Sequence, residues 1–156
     1  MYANITLNVN REDYQVEVAP YHTLRHVLRD ELGFTDVKNG CSEGECGSCA
    51  VLVDGKPVTS CLMLAAQAQG KKITTARGLA TDGQLHPLQE KFIEYGAVQC
   101  GYCTPGMLLV AKALLDKNPN PTEEEVKVAI SGNICRCTGY QQIVEAILAA
   151  AAETNM

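Results

Sequence analysis

The feature that most restricts how this chain can fold is its set of eight cysteines among 156 residues. They form two groups of four, one in each half of the chain, with the spacings C-x4-C-x2-C-x11-C and C-x2-C-x31-C-x-C. Thiolates that bind one metal centre, or thiols that join in disulfides, hold distant segments of a small chain at one point. The chemistry of the cysteines therefore decides which folds are open to this sequence.

The rest of the sequence favours metal binding over disulfides. Residues 1–6 lack the basic region and apolar stretch of a secretory signal. The longest apolar runs, residues 107–111 and 146–152, are far shorter than the roughly 18 residues that span a membrane. We therefore expect a cytoplasmic protein without a transmembrane segment. Because disulfides are rare in the cytoplasm, clustered cysteines in such a chain predict metal ligands.

The overall charge argues against binding to nucleic acid. Asp and Glu outnumber Lys and Arg by 18 to 13, which gives a net charge of −5, so no excess of basic side chains is present to neutralise phosphates. The sequence also lacks a dinucleotide-binding fingerprint, a phosphate-binding loop and the residue order of a Ser-His-Asp triad. We therefore predict no catalytic residue in this chain.

The first half of the chain is predicted to form a small mixed sheet with one helix. Apolar and polar residues alternate in the first two predicted strands, and Asp54-Gly55 between the next two is a strong hairpin signal. Thr23 is a suitable N-cap for the helix, and Gly33 is a suitable end. In chain order, the predicted elements are strands at residues 5–9 and 14–18 around a turn at 10–13, a helix at 24–32, strands at 50–53 and 57–60, and a strand at 72–75.

The second half is predicted to be helical. Pro105 is suited to the first position of a helix, and Thr122 with Glu125 has the pattern of a capping box. Four short antiparallel helices of this kind form a small bundle. The predicted helices cover residues 86–94, 105–117, 122–130 and 140–152, and the stretch at 78–83 is the predicted linker between the halves.

The spacing of the first cysteine group, C-x4-C-x2-C with a distant fourth cysteine, is that of plant-type ferredoxins. A loop that carries three thiolates must wrap around an inorganic core, and Gly40, Gly44 and Gly47 let backbone N–H groups approach the sulfurs closely. Structural zinc sites more often use pairs of C-x2-C knuckles, so the spacing favours a [2Fe–2S] cluster over zinc. The predicted ligands are Cys41, Cys46, Cys49 and Cys61.

The spacing of the second cysteine group is less specific. A C-x2-C pair serves zinc, redox and cluster sites alike, whereas C-x-C fits a two-iron core better than a single tetrahedral ion. Two of these cysteines each precede a predicted helix, whose N-terminal N–H groups and dipole favour anionic sulfur. The spacing leaves both a cluster and zinc open. The predicted ligands are Cys100, Cys103, Cys135 and Cys137.

Three cysteine motifs resemble those of the xanthine oxidase family of molybdenum hydroxylases. They are GCSEGECGSC at residues 40–49, QCGYCTPG at 99–106 and GNICRCTGY at 132–140. Over its whole length the chain is similar to the family's separate small iron–sulfur subunit, as in the three-subunit bacterial carbon monoxide, nicotinate and aryl-CoA enzymes. It departs from the family pattern at Glu43 and Glu45, where small or neutral residues are common.

The resemblance implies an α+β fold made of two domains. A plant-ferredoxin-like β-grasp domain would cover residues 1–77, and a small four-helix-bundle domain would cover residues 84–156 after the linker at 78–83. Each domain would hold one [2Fe–2S] cluster. The second cysteine group would then bind a cluster rather than zinc.

The resemblance also implies a function as the electron-transfer subunit of an oxidoreductase complex. Substrate would be oxidised on a large partner subunit that carries molybdopterin. Electrons would pass through the helical-domain cluster and then the β-grasp cluster to FAD on a medium partner subunit, or to another acceptor. The expected assembly is a hetero-oligomer that dimerises. A free-standing two-cluster ferredoxin, which has no molybdenum partner, is the alternative.

By the same resemblance, two residues of the second and third motifs would lie next to the pterin. Gln99 would hydrogen-bond the pterin through its side-chain amide, and Cys137 would approach the pterin amino group.

The three histidines are surplus to two complete cysteine sets, so we expect none of them to bind a cluster. His26 lies on the polar side of its predicted helix, and His22 and His86 stand alone at helix starts.

Overall fold

The computed structural model describes residues 2–154. Residue 1 of the first predicted domain and residues 155–156 of the second lie outside the described residues. The strands are β1 (Ala3–Val9), β2 (Glu12–Val18), β3 (Ala50–Val53), β4 (Lys56–Thr59) and β5 (Lys72–Thr74). The helices are α1 (Leu24–His26), which continues as a π-helical turn at Val27–Glu31, α2 (Pro87–Glu94), α3 (Thr104–Lys117), α4 (Glu123–Ile130) and α5 (Gln141–Thr154). Short 3₁₀ helices lie at Ala65–Ala68 and Ala76–Leu79.

The five strands form one mixed sheet in the order β2-β1-β5-β3-β4. β1 pairs antiparallel with β2 and parallel with β5, while β3 pairs antiparallel with both β4 and β5. Alternation along β1 turns Ile5, Leu7 and Val9 to the buried face of the sheet. The predicted order of two strands, a helix and three more strands is confirmed.

Two hairpins set the register of the sheet. Asn10 and Arg11 both have positive φ, 51° and 74°, so β1 and β2 are joined by a two-residue turn. The predicted four-residue turn at 10–13 is wrong, because residues 12 and 13 already pair with β1. Asp54 and Gly55, with φ of 50° and 76°, join β3 to β4 in the hairpin that was predicted.

The helix between β2 and β3 changes its winding along its length. Thr23 is its N-cap, as predicted, because the Thr23 hydroxyl accepts a hydrogen bond from the His26 N–H at 3.2 Å. From Val27 onwards the helix widens into a π turn, in which the Leu32 N–H donates to the Val27 carbonyl at 2.9 Å. Hydrophobic spacing alone does not distinguish this turn from an α-helical one, so the sequence did not predict it.

The second half contains the four predicted helices, α2 to α5, around an apolar core of their own. His86 caps α2, because its Nδ1 accepts the Leu88 N–H at 3.2 Å. α3 begins one residue earlier than predicted, at Thr104, so Pro105 is its second residue rather than its first. The largest fully buried side chains of this core are Leu88, Phe92, Met107, Leu109, Ile143 and Ile147.

Within residues 2–154, no helix combines the length and apolar composition that a bilayer crossing requires.

The two halves pack against each other through the sheet. β3 lies next to α3, and Leu52 of β3 belongs to the apolar core of the helices. Ala76 and Leu79, from the 3₁₀ turn that follows β5, are buried in the same core. The segment that connects the halves therefore also helps to hold them together.

The predicted capping box at the start of α4 is confirmed. The Thr122 hydroxyl accepts the Glu125 N–H at 3.3 Å, and the Glu125 carboxylate accepts the Thr122 N–H at 2.7 Å. The Thr122 N–H and the Thr122 hydroxyl, which donates to the same carboxylate at 2.9 Å, hold the pKa of Glu125 below its usual value.

Replacing Thr122 by Ala removes the oxygen that accepts the Glu125 N–H. We expect a loss of about 1 kcal/mol in the free energy of unfolding. For a chain of this size that loss lowers Tm by about 2–4 °C. Thr122→Ser keeps a hydroxyl and should melt like the wild type, which makes it the control. Far-ultraviolet circular dichroism measures both variants, and equal Tm values for Ala and Ser would show that the cap contributes nothing.

Candidate metal centres

The first cysteine group begins in the loop between the π turn and β3. This loop curls so that three backbone N–H groups point at the Cys41 sulfur, those of Glu43 and Glu45 at 3.3 Å and that of Cys46 at 3.4 Å. A positive φ of 81° at Gly44 allows the curl. The N–H groups of Glu43 and then Cys46 lower the pKa of Cys41 to about 7, so the loop is built to hold an anionic sulfur.

The sulfurs of the first group lie together in pairs. The side chain of Cys41 contacts that of Cys46, and the side chain of Cys61 contacts that of Cys49. Burial raises the pKa of Cys61 to about 11, because its thiolate form would lose hydration. A Cβ at Gly40 would lie 2.5 Å from the Cys46 sulfur, so glycine keeps the space beside that sulfur open.

The second cysteine group lies at the start of α3 and in the loop between α4 and α5. Cys103 directly precedes α3, and its side chain contacts that of Cys135. The side chain of Cys137 contacts that of Cys100. Cys100 and Cys137 are exposed, whereas Cys135 is buried. The structure thus brings these four cysteines together.

Burial and hydrogen bonding shift the cysteine pKa values of the second group in opposite directions. Burial raises the pKa of Cys103 to about 12. Burial also opposes ionisation of Cys135, but the Thr138 hydroxyl and N–H, 3.1 Å and 3.4 Å from its sulfur, lower its pKa overall. α5 begins only at Gln141, so the C-x-C pair is stabilised by this loop rather than by the helix N-terminus that the sequence predicted.

The clustering of four cysteine side chains in each group fits a two-iron core. A [2Fe–2S] cluster takes four thiolate ligands, two on each iron. In both groups, cysteine side chains contact each other, and N–H or hydroxyl groups point at a cysteine sulfur. Such donors offset the negative charge of thiolate and sulfide. The side chains present are therefore suited to one [2Fe–2S] cluster in each half.

The loops of the two cysteine groups touch at Gly47 and Asn133. The buried side-chain amide of Asn133 donates to the Gly47 carbonyl at 3.0 Å, and the Ile134 N–H donates to the Cys46 carbonyl at 2.9 Å. Gly106 in α3 also lies against this contact, since a Cβ there would be 2.7 Å from the Gly47 oxygen. Sequence reasoning identified Gly47 but missed Asn133, because a contact across 86 positions leaves no signal in a single sequence.

A second link between the loops runs through Tyr102. Its hydroxyl donates to the Asn39 carbonyl at 2.8 Å, and the Lys38 ammonium lies 5.8 Å from the centre of its ring. Tyr102 lies inside the C-x2-C pair of the second group, whereas Asn39 lies just before the first group. Sequence reasoning gave Tyr102 no role. The two cysteine loops are thus fixed relative to each other at two places.

The other residues singled out in the sequence lie at the surface or in separate contacts. Gln99 is exposed next to the second cysteine group. Glu43 and Glu45 are exposed, while their N–H groups face the first group. His22 does not stand alone as predicted, because its ring lies against that of His26 with 4.6 Å between the centroids.

Comparison with known proteins matches both halves to iron–sulfur families. Residues 7–80 match the model described as "2Fe-2S iron-sulfur cluster binding domain", and residues 75–148 match the model described as "[2Fe-2S] binding domain". The spacing C-x2-C and C-x-C left open whether the second group binds a cluster or zinc. The second match decides this question in favour of a cluster.

Known relatives are similar to the chain over most of its length and of their own. It is 57% identical over 143 residues to the nicotinate dehydrogenase small FeS subunit of Eubacterium barkeri, covering 92% of this chain and 91% of that protein. It is 45% identical over 146 residues to the xanthine dehydrogenase iron-sulfur-binding subunit of Escherichia coli O157:H7, covering 92% and 91%. A chain in the crystal structure of quinoline 2-oxidoreductase from Pseudomonas putida 86 matches with a TM-score of 0.95 and 43% identity, covering 99% of this chain and 96% of that one.

The fold, the cysteine pairs and the two matches define an iron–sulfur protein with two [2Fe–2S]-binding domains. The chain belongs to the family of small iron–sulfur subunits of the molybdenum hydroxylases, the xanthine oxidase family. The resemblance carried by the three cysteine motifs is thereby confirmed.

Gly47 and Gly55 offer a matched test of the contact between the cysteine loops. Both have positive φ, 69° and 76°, so Ala strains the backbone at either site. At Gly47 a Cβ would also lie 2.3 Å from the Gly132 carbonyl oxygen, whereas at Gly55 nothing lies within 4 Å. We expect Gly47→Ala to cost about 1–3 kcal/mol more in the free energy of unfolding than Gly55→Ala. Thermal melts of the two cluster-loaded variants measure the difference, and equal losses would contradict the close contact.

Proposed function

We propose that this chain is the electron-transfer subunit of a molybdenum hydroxylase complex. The observation that carries the proposal is the pair of cysteine groups, each suited to a [2Fe–2S] cluster and joined by hydrogen bonds between their loops. Bound clusters supply transfer of electrons one at a time. Substrate is oxidised on a large partner subunit that carries molybdopterin, and FAD on a medium partner subunit receives the electrons. This chain therefore serves an enzyme without holding a catalytic residue.

Contacts between cysteine side chains support a specific set of ligands for each cluster. Two thiolates that already touch can bind the same iron with little rearrangement of the chain, so each contacting pair is assigned to one iron. The pairs are Cys41 with Cys46, Cys49 with Cys61, Cys100 with Cys137, and Cys103 with Cys135.

The proposed architecture has two domains with the boundaries expected from the sequence. A plant-ferredoxin-like β-grasp domain covers residues 1–77, a linker covers 78–83 and a four-helix-bundle domain covers 84–156. Two distinct apolar cores, one on the sheet and one among the helices, support this division. The two family matches also meet close to the proposed linker. Burial of Leu79 in the helical core gives the linker a part in orienting the domains.

The exposed residues around the second cysteine group form the proposed contact with the molybdopterin subunit. Gln99 is exposed beside the exposed pair Cys100 and Cys137, and Ile134 is 54% exposed. Apolar side chains that remain exposed next to a functional site are typical of surfaces that bind another protein. In the proposed complex the Gln99 amide hydrogen-bonds the pterin, and Cys137 lies near the pterin amino group.

The first cysteine group is proposed to face the electron acceptor. Leu62, directly after Cys61, is 62% exposed. It lies against the cysteine loop, since a Cβ at Gly44 would be 2.4 Å from a Leu62 methyl carbon. The loop and Leu62 beside it are thus open to contact with a second protein. Electrons would then enter at the second group and leave at the first.

The names of the relatives support a substrate class for the complex. Nicotinate, xanthine and quinoline, named in the three matches above, all contain a nitrogen-bearing aromatic ring. We therefore propose such a ring compound as the substrate of the large subunit.

The complex is proposed to be a hetero-oligomer that dimerises in the cytoplasm, where thiols stay reduced.

The composition of the native complex tests the proposed function. Purified through a tag on this chain, it should contain about four irons and about four acid-labile sulfides per copy, because each [2Fe–2S] cluster has two of each. Molybdopterin and flavin should purify with it. Cys46→Ser should lower the iron to about two per copy, whereas Ser131→Ala, a change of an exposed serine, should leave it unchanged. Stoichiometric zinc, or a chain that purifies alone and still transfers electrons, contradicts the proposal.

The order of electron transfer is tested with two variants of the assembled complex. Cys46→Ser removes a proposed ligand of the first group, so substrate should still reduce the second site while delivery to the acceptor stops. Gln99→Ala removes the proposed pterin contact, so reduction of the second site should slow while both clusters assemble. Gln15→Ala, on an exposed position of β2, is the control. Rapid-freeze electron paramagnetic resonance follows each step, and delivery at the wild-type rate in Cys46→Ser would disprove the order.

A further inference from the structure

His22, His26 and Glu31 bring three metal-binding atoms together away from the cysteines. The Glu31 Oε1 atom lies 3.2 Å from Nδ1 of His22 and 3.3 Å from Nε2 of His26. The three ligand atoms all lie within 4.8 Å of one another. We propose that these residues form a binding site for one divalent transition-metal ion, with Zn²⁺ as the ion that fits best.

The π turn is what brings these side chains together. His26 and Glu31 are five positions apart, and in a regular α-helix such residues point about 140° away from each other around the axis. The wider π turn at Val27–Glu31 reduces that angle, so Glu31 reaches back to His26. His22 lies just before the N-cap of the same helix, and its ring packs against that of His26. Single π turns inside helices are frequent at functional sites.

The hydrogen bonds around the two imidazoles are compatible with a metal ion at the site. A metal ion on Nε2 of His26 requires the ring proton on Nδ1, where the Asp30 carboxylate lies 3.0 Å away and accepts it. The Ala19 N–H lies 3.4 Å from Nδ1 of His22, and since this nitrogen has a single in-plane lone pair, a bound ion takes the place of that long hydrogen bond. In that protonation state two imidazole nitrogens and a carboxylate oxygen face one another as acceptors, an arrangement that a cation stabilises.

Asp30 has the position of an outer residue that orients a metal ligand. Metal-binding histidines usually donate their second ring N–H to a carboxylate, which fixes the tautomer and raises the basicity of the ligand. The same Asp30 oxygen accepts from Arg25 at 3.1 Å, so the nearby guanidinium charge is paired rather than directed at the site. The site therefore has both its ligands and an orienting carboxylate.

The distances and exposure fit a zinc ion with an open position. Zn–N and Zn–O bonds of about 2.0–2.1 Å put neighbouring ligands of a tetrahedral ion roughly 3.3–3.4 Å apart. The two measured N···O distances, 3.2 Å and 3.3 Å, lie close to this value. The side chains of His22, His26 and Glu31 are 17%, 37% and 28% exposed, so an ion can enter. Water or a ligand from another molecule would complete the coordination.

Zinc titration of the cluster-loaded full chain tests the site. Isothermal titration calorimetry should show one saturable Zn²⁺ site per chain, with the iron content and the visible absorption of the clusters unchanged. Glu31→Gln or His26→Gln should weaken binding at least about 100-fold, and Asp30→Asn about 10- to 100-fold. Glu17→Gln, on an exposed position of β2, should bind Zn²⁺ like the wild type and is the control.

Zinc-edge X-ray absorption of the one-to-one complex identifies the ligands independently of affinity. Nitrogen and oxygen ligands with the scattering pattern of two imidazoles support the site. Sulfur in the zinc shell means that the ion has displaced iron at the cysteines, and this overturns the proposal. So does the absence of saturable binding, or an affinity for Glu31→Gln equal to that for Glu17→Gln.

Discussion

The contact between Gly47 and Asn133 is the interaction on which the arrangement of the two metal sites depends. One cysteine loop presents a backbone carbonyl, and the other presents a buried amide that donates to it at 3.0 Å. A Cβ at Gly47 or at Gly106 would collide with the atoms across this contact. Because a buried amide without a partner costs free energy, this side chain holds the halves in one orientation. The packing of Leu52 into the helical core supports the same orientation from the sheet side.

Charge compensation at the sulfurs comes from the backbone rather than from basic side chains. The chain carries a net charge of −5, and the residues on either side of Gly44 in the first cysteine loop are both glutamates. Their N–H groups nevertheless point at the Cys41 sulfur, while the residues themselves are exposed. The backbone N–H groups that face the sulfur are therefore placed by the path of the chain. Glycines with positive φ permit that path. An acidic protein can in this way hold anionic groups without a matching cluster of Lys or Arg.

The parts of the structure that could be predicted from the sequence are those in which a local pattern has one physical solution. Asp54-Gly55 requires a tight hairpin, and Thr122 with Glu125 satisfies the free N–H groups at a helix start. The π turn at Val27–Glu31 was missed, because its apolar residues are spaced as in an ordinary helix. The cysteines were found by their spacing, but their pairing and the role of Asn133 were not. Those features are contacts between distant segments, which only the folded chain creates.

The unequal exposure of the sulfurs has a consequence for the period before the chain meets its partners. Cys49, Cys61 and Cys135 are buried, whereas Cys100 and Cys137 are open to solvent. Dissolved oxidants and chelators therefore reach the second site of the isolated chain more easily than the first. In the proposed complex, a subunit that docks over the exposed pair would remove this access. Assembly of that complex would then protect the more vulnerable site from damage, in addition to connecting it to its proposed source of electrons.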